Sequence, residues 1–188
     1  LLLIDPGGSY QDAQALHEAI RTVSSEPVRF VINTGGQDHR WLGNDYWHQQ
    51  GATIIASDAA VLDQKKRASD QLSGLKRFLR GQELNTIPRH ADITFETDYS
   101  LTFGGVNLEV KHRGAAHTPG DSFVWMPSKK TMFTGDIVYV ERILGIGQQS
   151  KLTSWISVFE QMASFAPEHI VPGHGNPTNL NVSKRDTY

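Results

Sequence analysis

"LLLIDPGGSYQDAQALHEAIRTVSSEPVRFVINT", residues 1–34, holds three structural signals in a row. Leu1–Ile4 is an apolar run stopped by Asp-Pro-Gly-Gly, the pattern of a buried strand entering a turn. From Tyr10 to Val23, the residues Ala13, Leu16, Ala19, Ile20 and Val23 fall on one helical face. Pro27 closes the connection and "VRFVINT" reads as a second buried strand. Strand, helix and strand within about thirty residues predict a parallel βαβ unit.

Working outward, "RWLGNDYWHQQG" reads as a short helix ending at Gly51, and "ATIIAS" as the next strand. Asp58 to Arg80 is polar, charged and helix-prone, which predicts a solvent-facing helix or two. From Ile93 the texture changes. "ADITFETDYSLTFGGVNLEVKHRG" and "DSFVWMPSKKTMFTGD" alternate and carry turn signals, as antiparallel hairpins do. "TSWISVFEQMASF" is an amphipathic helix, and "EHIVPGHGNP" returns through a short strand to a glycine turn. The pattern describes two mixed halves, a sheet sandwich covered by helices, in a single domain over residues 1–188.

Composition narrows the function classes. With 188 residues and 38% hydrophobic content the chain can bury a sizeable core. A net charge of -2 gives no sign of a nucleic-acid or membrane surface, so a small-molecule substrate is the expected partner. There is no cysteine, so a metal would rest on His, Asp or Glu. No signal peptide is visible, yet the chain opens inside a strand-like run, consistent with a missing N-terminal segment. Cytoplasm and periplasm are both compatible with these features, and the oligomeric state is open.

Of eight histidines, three lie in strand-end loops beside glycine or proline: His39, His117 in "GAAHTPGDS" and His174 in "VPGHGNP". Asp136 ends a strand in "MFTGDIV". Such loops, held by a rigid sheet, are where sites are built. Imidazole and carboxylate are the ligands zinc or iron takes when no thiolate is present. His17, His48, His90, His112 and His169 have no partner pattern and read as surface residues. Trp41, Tyr46 and Trp47 read as packing of a short helix.

"LIDPGG", "FVINT", "AAHTPGDSFVW", "MFTGD" and "IVPGHG", in this order from Leu3 to Gly175, resemble the metallo-β-lactamase-fold superfamily. The resemblance implies an α+β fold, a four-layer αββα sandwich with one or two metal ions in loops at one edge. It also implies hydrolysis of substrates such as β-lactams, thioesters, phosphodiesters or lactones. His117 would be the third histidine of a first metal, Asp136 a carboxylate shared between two, and His174 the last histidine of a second. Asp5 would support the site from behind, or simply start its turn. Tyr139, Glu141 and Arg142 lie where the family often carries a substrate-facing loop.

One stretch departs from the pattern. The superfamily loop reads His-x-His-x-Asp-His after an Asn-Thr-like strand end. Anchored without gaps on Asn33-Thr34 and Gly43-Asn44, this chain has Gly35 and Gln37 at the first two histidines, His39 at the aspartate and Arg40 at the last histidine. A one-residue slip instead puts Asp38-His39 on the Asp-His pair. Either way the first metal position has lost two imidazoles. A reduced, mononuclear site is expected, with His39 (or Asp38), Asp136 and His174 as ligands and His117 a fourth. Its one divalent ion, zinc first and iron or manganese next, would bring a bound water's pKa toward about 7 for attack on an ester, thioester or amide carbonyl. Asp38, if not a ligand, would orient that water as general base. A true β-lactamase is not expected. Arg40 opposes a metal, and would otherwise pair with Asp136 as a charge substitute or clamp an anionic group. The alternative is therefore a metal-free, non-catalytic protein binding a ligand or partner in the old cleft.

Overall fold

The computed structural model describes residues 1–79 and 85–187, and Arg80, the last residue of the expected 58–80 helix, lies outside the described residues. β1 (Leu2–Ile4), α1 (Tyr10–Arg21) and β2 (Phe30–Ile32) form the expected parallel βαβ unit, with Leu3 paired to Val31. Ser9 starts α1 by accepting the Asp12 amide at 3.0 Å, a side-chain cap on an otherwise unpaired donor. After a 3₁₀ turn (Asp38–Arg40) come α2 (Asn44–Gln49), β3 (Thr53–Ser57), α3 (Asp58–Leu79) and β4 (Ile93–Phe95). The order β1-β2-β3-β4 makes a first sheet that is parallel throughout.

The second sheet contains β5 (Asp98–Phe103), β6 (Val106–His112), β7 (Ser122–Met126), β8 (Thr131–Phe133) and β9 (His169–Val171), in that order. Its first three pairings are antiparallel hairpins, and β8 with β9 is parallel, bridged by α4 (Leu152–Ala163). α5 (Leu180–Thr187) follows. The alternation starting at Ile93 signals hairpins, but β4 itself completes the first sheet in parallel beside β3.

Side chains alternate across each strand, and this period sorts the core into layers. Val31 and Ile54 pack outward under α1 and α2, with Ala13 and Trp47. Their neighbours Ile32 and Ile55 point the other way, onto Val110 and Val124 of the second sheet. Phe123 and Trp125 face away from that interface, against Trp155, Val158, Phe159 and Met162 of α4. Helix, sheet, sheet, helix is the αββα sandwich. Among the described residues no helix is long and apolar enough to cross a membrane.

The polar face of α3 is less exposed than its composition suggests: Asp63, Gln64 and Gln71 are buried against the loop that follows β2. Three histidines read as surface residues are also held inward, among them His112, whose Nδ1 meets the Asp121 carbonyl at 2.8 Å. His17 meets the Tyr46 hydroxyl at 2.7 Å, and His90 stacks on Trp41 at 5.2 Å.

The sheets are tied at the edge where β1, β2, β8 and β9 end. Ser122 N–H donates to the Thr34 carbonyl at 2.8 Å, joining the end of β2 to the start of β7. Nearby, Gly120 lies on the first turn of α3, and its carbonyl accepts the Ser57 hydroxyl at 2.9 Å. A β-carbon there would collide with the Ala60 backbone. Gly120→Ala is expected to destabilise the fold by about 3 kcal/mol, the upper end for overpacking, because backbone rather than a flexible side chain must yield. A urea titration checks this.

Candidate metal centre

Four strand ends supply the site, and each chain leaves its strand through a turn. β1 ends at Asp5, whose left-handed backbone (φ 63°) turns its carboxylate under Thr34. Both Thr34 N–H (2.8 Å) and Thr34 Oγ1 (2.7 Å) donate to it. β8 runs into a 3₁₀ turn that presents Asp136, and β9 into Pro172-Gly173-His174. After β2, Gln37 leads into the 3₁₀ turn that sends His39 and Arg40 inward.

Asp136 is the hub. It is 2% exposed, and its two oxygens serve different neighbours. Oδ1 accepts from the Arg40 guanidinium and lies 3.1 Å from His174 Nε2. Oδ2 lies 3.3 Å from His39 Nε2 and 3.9 Å from His117 Nε2. His39 Nε2 and Asp136 Oδ2 are both buried and neither has an aligned hydrogen-bond partner. Arg40 completes the arrangement by donating through Nη1 to Asp5 Oδ2 at 2.7 Å.

His39, Asp136 and His174 each offer an atom within 4.8 Å of the others, a spacing one cation can bridge. Of the two candidates at the opening loop, His39 faces the hub. Asp38 stands behind it, with Oδ1 accepting His39 N–H at 2.8 Å and meeting Nδ1 at 3.0 Å. His117 is adjacent to the triplet but not inside it. Its Nδ1 meets the Gly145 carbonyl at 2.5 Å and its ring packs between Tyr139 and Trp155.

Charge follows the geometry. Burial would raise the Asp136 pKa, but the Arg40 charge and the histidines hold it well below the usual carboxylate range. Burial would lower His39, yet contacts with Asp136 and Asp38 prevail and raise it to about 9. For His117 burial wins, and its pKa is lowered. The two atoms without partners therefore mark a place for a positive particle, whether a proton or a metal ion.

The space beside Gly35 is filled rather than open. A β-carbon on Gly35 would come within 2.6 Å of Asp121 Oδ1. Asp121 is buried there, accepting from both the backbone N–H (2.9 Å) and the hydroxyl of Thr118. Burial, with the nearby Asp136 charge, pushes its pKa up to about 7. Gly36 lies on α3, its carbonyl accepting from Arg67 Nη2 (3.0 Å) and Gln71 Nε2 (2.8 Å), while Gln37 Oε1 accepts from Arg67 Nη1 at 3.1 Å. Gln37 is thus turned away from the centre. Sequence reading missed Asp121, Arg67 and Gln71. The Gly35-Gly36 pair, with no side chain to fill its own space, is the signal that could have pointed to them. The donor set of His39, Asp136 and His174 fits one cation.

Comparison with known proteins agrees with this architecture. Residues 1–174 match the metallo-beta-lactamase superfamily, and the chain belongs to it. A metallo-beta-lactamase type 2 from Bacteroides fragilis is 24% identical over 94 residues, 48% of this chain. That match spans only 36% of the relative's length. A metallo-beta-lactamase from Pontibacter korlensis superposes with a TM-score of 0.81 at 23% identity, covering 99% of this chain and 80% of that one. TMB-1 gives 0.77 at 23% identity, covering 98% and 77%. At such identities the structural likeness establishes the fold. Members of this superfamily typically bind divalent metals.

Replacing Arg40 separates structure from ligation. Arg40→Met is expected to cost about 3–5 kcal/mol, because the buried Asp136 and the half-buried Asp5 lose their counter-charge. Zinc should then raise the melting temperature more in the variant than in the parent, since Asp136 Oδ1 is freed. Thermal melts with zinc and with chelator read both effects.

Proposed function

We propose that the chain is a hydrolase working with one divalent cation, zinc foremost, on a small molecule bearing an ester, thioester or amide carbonyl. His39, Asp136 and His174 would hold the ion, with His117 as a fourth neighbour. The observation that carries this reading is the pair of buried, unpartnered atoms, His39 Nε2 and Asp136 Oδ2, 3.3 Å apart. A cation held there would supply Lewis acidity and a water acidified to near neutrality.

The remaining roles belong to the chain. Asp38 orients His39 rather than acting as a base: burial would raise its pKa, but its bonds to His39 lower it, which leaves a poor proton acceptor. Arg40 keeps Asp136 ionised and fixed. Gly145 O orients His117 by accepting from Nδ1. Hydrolysis of β-lactams belongs to the named relatives and is not part of this proposal, because Gly35 and Gln37 stand where ligating histidines would be.

A second reading, a metal-free protein that binds a ligand or partner in the cleft, draws support from Arg40 on Asp136. In that case the guanidinium substitutes permanently for the metal charge. Zinc titration against a chromophoric chelator separates the two. Near-stoichiometric binding, weakened at least tenfold by His39→Ala or Asp136→Asn, supports the hydrolase. Less than about a tenth of an equivalent bound at saturation favours the second reading. Hydrolysis of a panel of thioesters, esters and lactones by the zinc-loaded protein then tests the reaction.

The raised His39 pKa gives a pH signature with a definite sign. The ion must displace a proton from a group titrating at about 9, so affinity should rise about tenfold per pH unit from about 7 to 9, then level. The metal-free protein behaves oppositely. The His39 contribution to its stability is complete below the unfolded value of 6.5 and fades as pH climbs through about 9. The zinc-induced rise in melting temperature should therefore grow across that window.

A further inference from the structure

The ring nitrogens of the three histidines are not oriented alike. His39 Nδ1 faces Asp38 Oδ1 at 3.0 Å, and His117 Nδ1 faces the Gly145 carbonyl at 2.5 Å. Carboxylate and carbonyl oxygens only accept, so both Nδ1 atoms carry a hydrogen, and each ring in its neutral form, which for His39 requires loss of the Nε2 proton, turns a lone pair on Nε2 toward Asp136. That is the orientation metal-ligating histidines adopt. His174 is reversed. Its Nδ1 lies 3.1 Å from Arg142 Nη1, and a guanidinium only donates. Nδ1 is therefore the acceptor, and in the neutral ring the hydrogen sits on Nε2, which lies 3.1 Å from Asp136 Oδ1.

Arg142 is exposed, but it is aimed. Its guanidinium lies over the Tyr139 ring at 5.6 Å, and that ring leans on His174 at 4.7 Å. The preceding residue, Glu141, has a left-handed backbone (φ 60°) and is tied at both ends of its side of the loop. Asn176 Nδ2 donates to its carboxylate at 2.7 Å, and its own N–H donates to Asp186 at 3.1 Å.

We propose that Arg142 is a positioning residue that locks His174 in the tautomer unable to ligate, so that capture of a cation requires its guanidinium to leave Nδ1. A cation on Nε2 moves the ring hydrogen to Nδ1, where it would point at the N–H groups of Arg142. The lock thus sets the affinity of the third ligand without touching the ion. This proposal rests on the metal reading above, and it predicts that the parent protein binds zinc below the strength its donor set allows.

Three substitutions separate hydrogen bonding from charge. Arg142→Gln removes the charge and offers a carbonyl oxygen to Nδ1–H. Arg142→Met removes the charge and offers nothing. Arg142→Lys keeps a cationic donor. In zinc competition titrations Arg142→Gln should bind about tenfold or more tightly than the parent, Arg142→Met by a smaller factor, and Arg142→Lys within about twofold. Long-range proton–nitrogen NMR of the metal-free protein, with His174 assigned through His174→Asn, should show Nε2–H in the parent and a shift toward Nδ1–H in Arg142→Gln. Nδ1–H in the metal-free parent overturns the lock, as does an unchanged zinc affinity in Arg142→Gln. Equal tightening in the Gln and Met variants overturns it too, since charge alone would then explain the effect. If neither parent nor variants bind zinc, the metal reading and the role in capture fall, and the tautomer measurement alone decides whether the lock exists.

Discussion

A single buried guanidinium holds the two halves of this site in register. Arg40 is 6% exposed and lies between Asp5 at the end of the first strand and Asp136 in the second sheet. Asp5 in turn accepts both polar groups of Thr34, so three strand ends converge on one cation. Buried ion pairs add little net stability, but removing one partner leaves an uncompensated charge at a cost of several kcal/mol. The value of Arg40 is therefore positional. It fixes the Asp136 carboxylate through Oδ1 and leaves Oδ2, the oxygen facing His39, for chemistry.

The same logic accounts for the loop after β2. A glycine pair in a buried loop leaves space and unpaired backbone groups unless neighbours take them up, both costly. Here Asp121 occupies the space beside Gly35, and Arg67 and Gln71 take up the Gly36 carbonyl. Glycine at 35 and 36 is required by these neighbours as much as it permits them. A histidine placed at 35 alone would meet the Asp121 carboxylate already in place.

Much of this was legible in the sequence. The parallel βαβ unit and the sandwich follow from period-2 and period-3.6 patterning, which is local and dense. The attachment of Ile93–Phe95 to the first sheet was not, because three residues carry too little pattern to choose a partner strand. Polarity misled along α3: Gln64 and Gln71 are polar because they satisfy loop carbonyls, not because they face water. In the site, His39, Asp136 and His174 were marked by their strand-end loops. The choice between Asp38 and His39 depended on the direction imposed by a 3₁₀ turn, which spacing does not encode. The Arg40–Asp136 contact was foreseeable as charge pairing. The link onward to Asp5 needed the fold, since 35 residues separate the two.

Electrostatics sets how such a centre would work. Around the unpartnered pair stand three carboxylates, Asp5, Asp38 and Asp136, against the one buried guanidinium of Arg40. That imbalance attracts positive charge, and the raised affinity of His39 for a proton expresses it directly. A divalent ion held there would compete with a proton for the same two atoms, and neither would need to displace Arg40. The guanidinium holds Asp5 and Asp136 in place without an ion. Ion binding would then be an exchange within a preformed cavity edge rather than a folding event, unlike structural metal sites whose apo forms collapse. Stability and ligation are thus assigned to different oxygens of one carboxylate, and that separation lets a site with fewer ligands persist in the fold.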